Sequence, residues 1–95
     1  MKRIIDRKLL DSYQGIECLV CSYKTSTVAH HVKTKGAGGD DVEENLMPLC
    51  HIHHAEIHQL SLTRFTEKYP MVKTFLRLFG WKYDHYSNRW YQPPK

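Results

Sequence analysis

Two short ligand pairs constrain this chain more than any other feature. Cys18-Leu19-Val20-Cys21 is followed, after 28 intervening residues, by Cys50-His51-Ile52-His53. Structural zinc takes four nitrogen or sulfur ligands at the corners of a tetrahedron, and a two-residue spacer lets one turn supply two of them. Thiolates are soft ligands and imidazole a borderline one, so Zn²⁺ suits the set far better than Mg²⁺. All three cysteines are used, and an odd number of thiols speaks against a closed disulfide framework. Four protein ligands leave no open position, which predicts a structural site. The plain alternative is three unlinked buried thiols. A chain of 95 residues buries only ~60–65% of its unfolded surface, and a core that thin is often stapled by a metal.

The remaining composition is that of an ordinary globular domain, 41% hydrophobic and 25% charged. No apolar run approaches the ~20 residues of a membrane span. The segment Met1–Lys8 has charges but no apolar core, so no signal peptide is expected and a cytoplasmic location is. Net charge is +4, but Asp40, Asp41, Glu43 and Glu44 hold four of the ten acids. Outside that cluster the chain carries 14 basic and 6 acidic residues, a balance that suits a polyanionic partner.

Periodicity predicts an α+β domain over 1–95. Ile5, Leu9 and Tyr13 recur at helical steps and predict a helix over 2–13, with a stop at Gly15. Thr27, Val28 and Val32 favour a strand over 25–32. The run Gly36–Asp41 reads as a flexible loop. A second strand is expected over 45–49 and a helix over 50–60. Ser61 is a candidate N-cap for a helix reaching Tyr69. Pro70 suits the first turn of a further helix, with Val72, Phe75, Leu76 and Phe79 on its apolar face and Gly80 at its end. Residues 81–91 are aromatic-rich around Ser87-Asn88, which predicts a hairpin.

Histidine is the second unusual entry: six of seven lie between positions 30 and 58. With His53 assigned to the zinc, His30, His31, His54 and His58 remain. His54 and His58 are spaced i, i+4 and share a helical face, a common grip for a transition metal. His30 and His31 are adjacent on a strand and point to opposite faces, so one can serve as ligand and the other as base. Three imidazoles would leave open positions for water and a phosphate oxygen. His58 has a second reading as a helix-surface residue. His51 reads as an exposed helix-start residue and His85 as packed or solvated. Asp40 and Asp41 read as turn-stabilising acids beside Gly38 and Gly39.

The order Cys18-x2-Cys21, Ala29-His30-His31-Val32, Gly38-Gly39-Asp40, Asn45-Leu46-x2-Leu49-Cys50-x2-His53-His54, His58 resembles the HNH endonuclease family, including its phage-type, recombination-associated members. The resemblance covers residues 16–60, and the family's letters fall on His31, Asn45 and His54. It departs from the family at His53, where cysteine is usual, and at His30, where aspartate is frequent. It implies a zinc-stapled ββα-metal core over 16–60 with a helical and hairpin extension over 61–95. It implies a general base at His31, an orienting Asn45, and one divalent ion on His30, His54 and His58. Together these would cleave DNA phosphodiester bonds. An all-imidazole site favours Mn²⁺, Ni²⁺ or Zn²⁺ over Mg²⁺.

The expected partner is double-stranded or structured DNA, with Lys33, Lys35 and Arg64 as candidate phosphate contacts. A homodimer or a recombination or packaging protein is a further expected partner, and a membrane is not. Two rival readings stand beside the nuclease. One is a non-catalytic, zinc-stabilised nucleic-acid-binding module. The other is a protein adaptor using the aromatic C-terminal part, where Trp81, Tyr83, Trp90 and Tyr91 could instead stack on bases or cover the core.

Overall fold

The computed structural model describes residues 3–22 and 27–94. They form an α+β arrangement of four helices and two small antiparallel sheets. The order is α1 (Arg7–Asp11), β1 (Val28–His31), β2 (Leu46–Leu49), α2 (His51–Gln59), α3 (Leu62–Lys68), α4 (Pro70–Leu78), β3 (Lys82–Asp84) and β4 (Arg89–Tyr91). None of these helices is long and apolar enough to cross a membrane.

β1 and β2 pair antiparallel, His30 opposite Met47 and His31 opposite Leu46. Pro48 donates nothing to a ladder, yet its carbonyl accepts from the Leu19 N–H at 2.9 Å. That bond ties the Cys18–Cys21 turn to the sheet. α2 follows β2 directly, so the chain leaves the sheet at Cys50 and enters the helix with His53 one turn on. The N–H of His54 donates to the Cys50 carbonyl at 2.8 Å. Ser61 caps α3, its hydroxyl accepting from the Arg64 N–H at 3.2 Å, and Pro70 opens α4, both as the sequence predicts.

The core gathers Met47 and Leu49 of β2, Ile57 of α2, Phe65 of α3, Val72 and Leu76 of α4, and Trp81 and Trp90, together with Cys18 and Cys50. Burying each large apolar side chain contributes about 1.5–3 kcal/mol. The C-terminal hairpin β3–β4 turns through Asn88, whose φ is 56°. It lays Trp90 against this core, while the Trp81 indole N–H donates to the Glu44 carbonyl. The tryptophans therefore cover the core rather than offer a stacking face.

Two expectations are corrected. The N-terminal helix is far shorter than 2–13. It begins at Arg7 because the Asp6 carboxylate accepts from the Leu9 N–H at 3.0 Å, and it buries no residue. The preceding segment is not helical and bonds to the loop instead: the Ile4 N–H donates to Asp40 Oδ1 at 2.6 Å and the Asp41 N–H to the Ile4 carbonyl at 2.8 Å. The second concerns the glycine-rich segment, which carries a short 3₁₀ turn and a buried end where no regular structure is expected. Thr34 caps a short 3₁₀ turn at Lys35–Ala37, Gly39 is buried, and Asp41 is fully enclosed. Glycine at position 39 is required by contact, since a Cβ there would lie 1.8 Å from the Lys33 carbonyl oxygen. Residues 25–26 of the predicted first strand, and Lys2 of the predicted helix, lie outside the described residues.

Candidate metal centre and histidine cleft

Cys18, Cys21, Cys50 and His53 come together from the knuckle turn, the end of β2 and the first turn of α2. The Cys21 and Cys50 sulfurs are 3.7 Å apart. His53 Nδ1 lies 3.7 Å from Cys18 Sγ and 3.3 Å from Cys50 Sγ. A tetrahedral zinc with Zn–S near 2.3 Å and Zn–N near 2.0 Å has ligand–ligand edges of roughly 3.5–3.8 Å. Three of the six edges thus already lie within a few tenths of an ångström of those of a Cys₃His site, and all four ligand atoms lie within 4.8 Å of one another. Burial pushes the Cys18 thiol up, but N–H groups of Cys50, Cys21 and Val20 and the Cys21 thiol outweigh this and bring it down, toward the thiolate a metal requires. The His53 ring is steadied from behind by the edge of Tyr69, at 5.3 Å between centroids. Tyr69 in turn donates its hydroxyl to Glu56 at 2.6 Å, and Lys68 pairs with the same carboxylate. That network joins α2 to α3 beneath the site.

His30, His54 and His58 form a second cluster, with one ligand atom from each lying within 4.8 Å of the others. The Nε2 atoms of His54 and His58 are 3.2 Å apart. The His30 ring stands 5.2 Å from each of their rings, edge-on. His30 is 7% exposed. Its burial, reinforced by the neighbouring His54, His58 and His31, pushes its pKa down to about 3. Burial and then His58 lower His54 as well. Both shifts favour the neutral, metal-binding form of His30 and His54 near pH 7. Three imidazoles at this spacing fit a borderline divalent metal better than Mg²⁺.

His31 goes elsewhere. Its Nε2 lies 2.7 Å from Asp41 Oδ1. Asp41 also accepts from the Asp6 N–H at 2.8 Å and from Arg3 at 3.0 Å. Burial alone would raise its pKa, but His31, the Asp6 N–H and Arg3 hold the carboxyl well below the usual range. Adjacent strand residues thus diverge as the pleat requires: His30 to the α2 histidines, His31 to the loop acid. Both nevertheless line one open cleft of about 560 Å³, shared with His54, His58, Thr34 and Lys35.

Asn45 stands just before β2 and is buried. Its side-chain oxygen accepts from the Lys33 N–H at 2.7 Å, and its amide donates to the Lys33 and Asp40 carbonyls at 3.0 Å each. It holds the backbone just after His31 against the loop that carries Asp41. Of the three candidate phosphate contacts, Lys35 lines the histidine cleft. Lys33 borders a separate groove with Gly38 and Asn45, and Arg64 lies with Arg89 in the groove between α3 and the C-terminal hairpin. His51 and His85 are exposed and belong to neither cluster.

By its place beside Gly38-Gly39, Asp41 reads as a turn acid. The structure makes it the buried carboxylate that meets His31. One signal was present, a block of acids beside Gly38-Gly39 in an otherwise basic chain. Nothing in spacing alone separates the buried member from its solvated neighbours. No family model, curated protein or solved structure matches the chain.

Proposed function

We propose that this protein is a metal-dependent endonuclease of the HNH type that hydrolyses DNA phosphodiester bonds, with residues 16–60 as its ββα-metal core. The observation that carries this reading is the meeting, in one cleft, of two kinds of histidine. Three form an imidazole cluster spaced for a cation, and a fourth is hydrogen-bonded to a buried carboxylate. An ion held by His30, His54 and His58 would supply the positive charge that phosphodiester cleavage needs on the phosphate and the leaving oxygen.

The chain's own residues supply the rest. His31 accepts the proton of the attacking water, whose oxygen forms the new bond to phosphorus as the bond to the leaving sugar oxygen breaks. Asn45 keeps the strand end carrying His31 in register with the loop. Lys35, at the cleft edge, is suited to a neighbouring phosphate, a contact that positions DNA without reading its sequence. The Cys₃His site contributes stability and no chemistry.

The test is nicking of supercoiled plasmid by protein stripped of loosely bound metal and then supplied with single ions. Activity should return with Mn²⁺ or Ni²⁺ more than with Mg²⁺. His31→Ala should lose at least ~10²-fold of the rate while keeping its zinc and its fold. Metal-dependent nicking that survives this substitution removes the base. Zinc-dependent DNA binding without any nicking by wild type would favour the non-catalytic module.

A further inference from the structure

Asp41 stands outside the cluster that would hold the ion, is fully enclosed, and puts one carboxylate oxygen 2.7 Å from His31 Nε2. A carboxylate can only accept at that distance, so Nε2 must carry the hydrogen. In a neutral imidazole the lone pair then sits on Nδ1. Asp41 is itself fixed from three directions. Arg3 and the Asp6 N–H bind its two oxygens, and its own N–H donates to the Ile4 carbonyl. The Asn45 amide, donating to the Asp40 carbonyl, holds the neighbouring peptide. A buried, anionic and immobile acceptor on one nitrogen of a cleft-lining histidine sets both the tautomer and the orientation of that ring.

We infer that Asp41 is a positioning residue for His31, holding it as the Nε2–H tautomer so that Nδ1 is the atom that takes the proton from the attacking water. The inference rests on the endonuclease reading and adds to it a dyad in which the acid comes from the glycine-rich loop. It assigns the N-terminal segment a purpose as well: Arg3 to Asp6 form the far wall that keeps Asp41 in place. The role differs from simple anchoring of that segment. Anchoring would depend on Arg3 and Asp41 equally, whereas positioning depends on the carboxylate that His31 meets.

Two measurements decide it. The first needs no nuclease activity. In zinc-replete protein with no added cluster ion, long-range ¹H–¹⁵N correlation of labelled histidine should show His31 as the Nε2–H tautomer. Asp41→Asn should lose that preference, since an amide can present a donor in place of the acceptor. The second is single-turnover nicking at saturating DNA. Asp41→Asn should lower the rate by about 10²–10⁴, the scale on which a base held in the wrong tautomer fails. Its DNA affinity and zinc content should stay within about threefold of wild type. Arg3→Ala removes one of the holds on Asp41 but spares the carboxylate, and should lower the rate by at least tenfold less than Asp41→Asn does.

A wild-type His31 found as the Nδ1–H tautomer overturns the inference, and that result requires no variant to fold. So does Asp41→Asn that nicks at the wild-type rate, or Arg3→Ala that loses as much as Asp41→Asn. Wild type that holds the tautomer but nicks with none of Mn²⁺, Ni²⁺, Zn²⁺ or Mg²⁺ overturns the endonuclease reading itself, and the catalytic role of Asp41 with it.

Discussion

Individual residues around positions 33–45 carry more of this site than their side-chain chemistry suggests. Asn45 satisfies three backbone groups with one buried amide. Leaving such groups unpaired costs about 1–3 kcal/mol each. Asn45→Ala should therefore lower stability by about 2–4 kcal/mol in denaturant titration, and a loss under ~0.5 kcal/mol would show that the amide is dispensable. Gly39 makes the same joint possible from the other side. A methyl there meets the Lys33 carbonyl carbon at 2.7 Å and Asn45 Nδ2 at 2.9 Å, besides the oxygen. Gly39→Ala should cost about 3 kcal/mol, the upper range for overpacking, and wild-type stability in that variant would mean that the loop yields freely. The asparagine was legible as a motif position. Its partners were not, because hydrogen bonds between residues 12 apart depend on where the loop returns.

At the level of elements, the Cys₃His cluster joins three pieces at one point. The Cys18–Cys21 turn, the end of β2 and the first turn of α2 meet at four ligands, and α1 buries nothing that could substitute. A structural zinc in such a set contributes about 10–16 kcal/mol, against roughly 5–14 kcal/mol of total stability for a domain this size. Chelation should thus unfold the domain rather than soften it. The check is loss of the near-ultraviolet tryptophan signal in step with release of one tightly held zinc per chain. An unchanged melting temperature after zinc removal would relegate the cluster to idle thiols. β2, α2, α3, α4 and the C-terminal hairpin follow their local patterns closely. The N-terminal helix does not, because Ile5 stays exposed, Leu9 and Tyr13 are only half-buried, and Asp40 and Asp41 draw the preceding segment into hydrogen bonds with the loop.

For the whole molecule, burial of a histidine cluster couples folding to pH. His30 titrates near 6.5 when unfolded and at about 3 when folded. Below pH 6.5 the unfolded chain therefore binds a proton that the native state refuses. Stability from this group is complete above pH 6.5 and falls as pH drops toward 3, with a slope of up to about 1.4 kcal/mol per pH unit. Asp41, held low, adds loss only below its unfolded value near 3.9. Denaturant titrations from pH 7 to 4.5 should show wild-type stability declining and His30→Gln declining less steeply. Parallel slopes for the two would mean that His30 is not protected from protonation.

Spacing by itself determined which residues pair off. Two-residue spacers, the i, i+4 step of His54 and His58, and the alternation of a strand are local consequences of backbone geometry, so a zinc knuckle and a split pair of histidines could be read before any fold was known. The resemblance already set His30 beside the α2 histidines; only the tertiary structure decided that Asp41 is the acid buried against His31 and that Lys33 and Arg64 do not line the cleft. Those outcomes follow from how a fourteen-residue connection between β1 and β2 folds back and is clamped by the N-terminal segment. Contacts of that range arise from packing and burial, which no local pattern encodes.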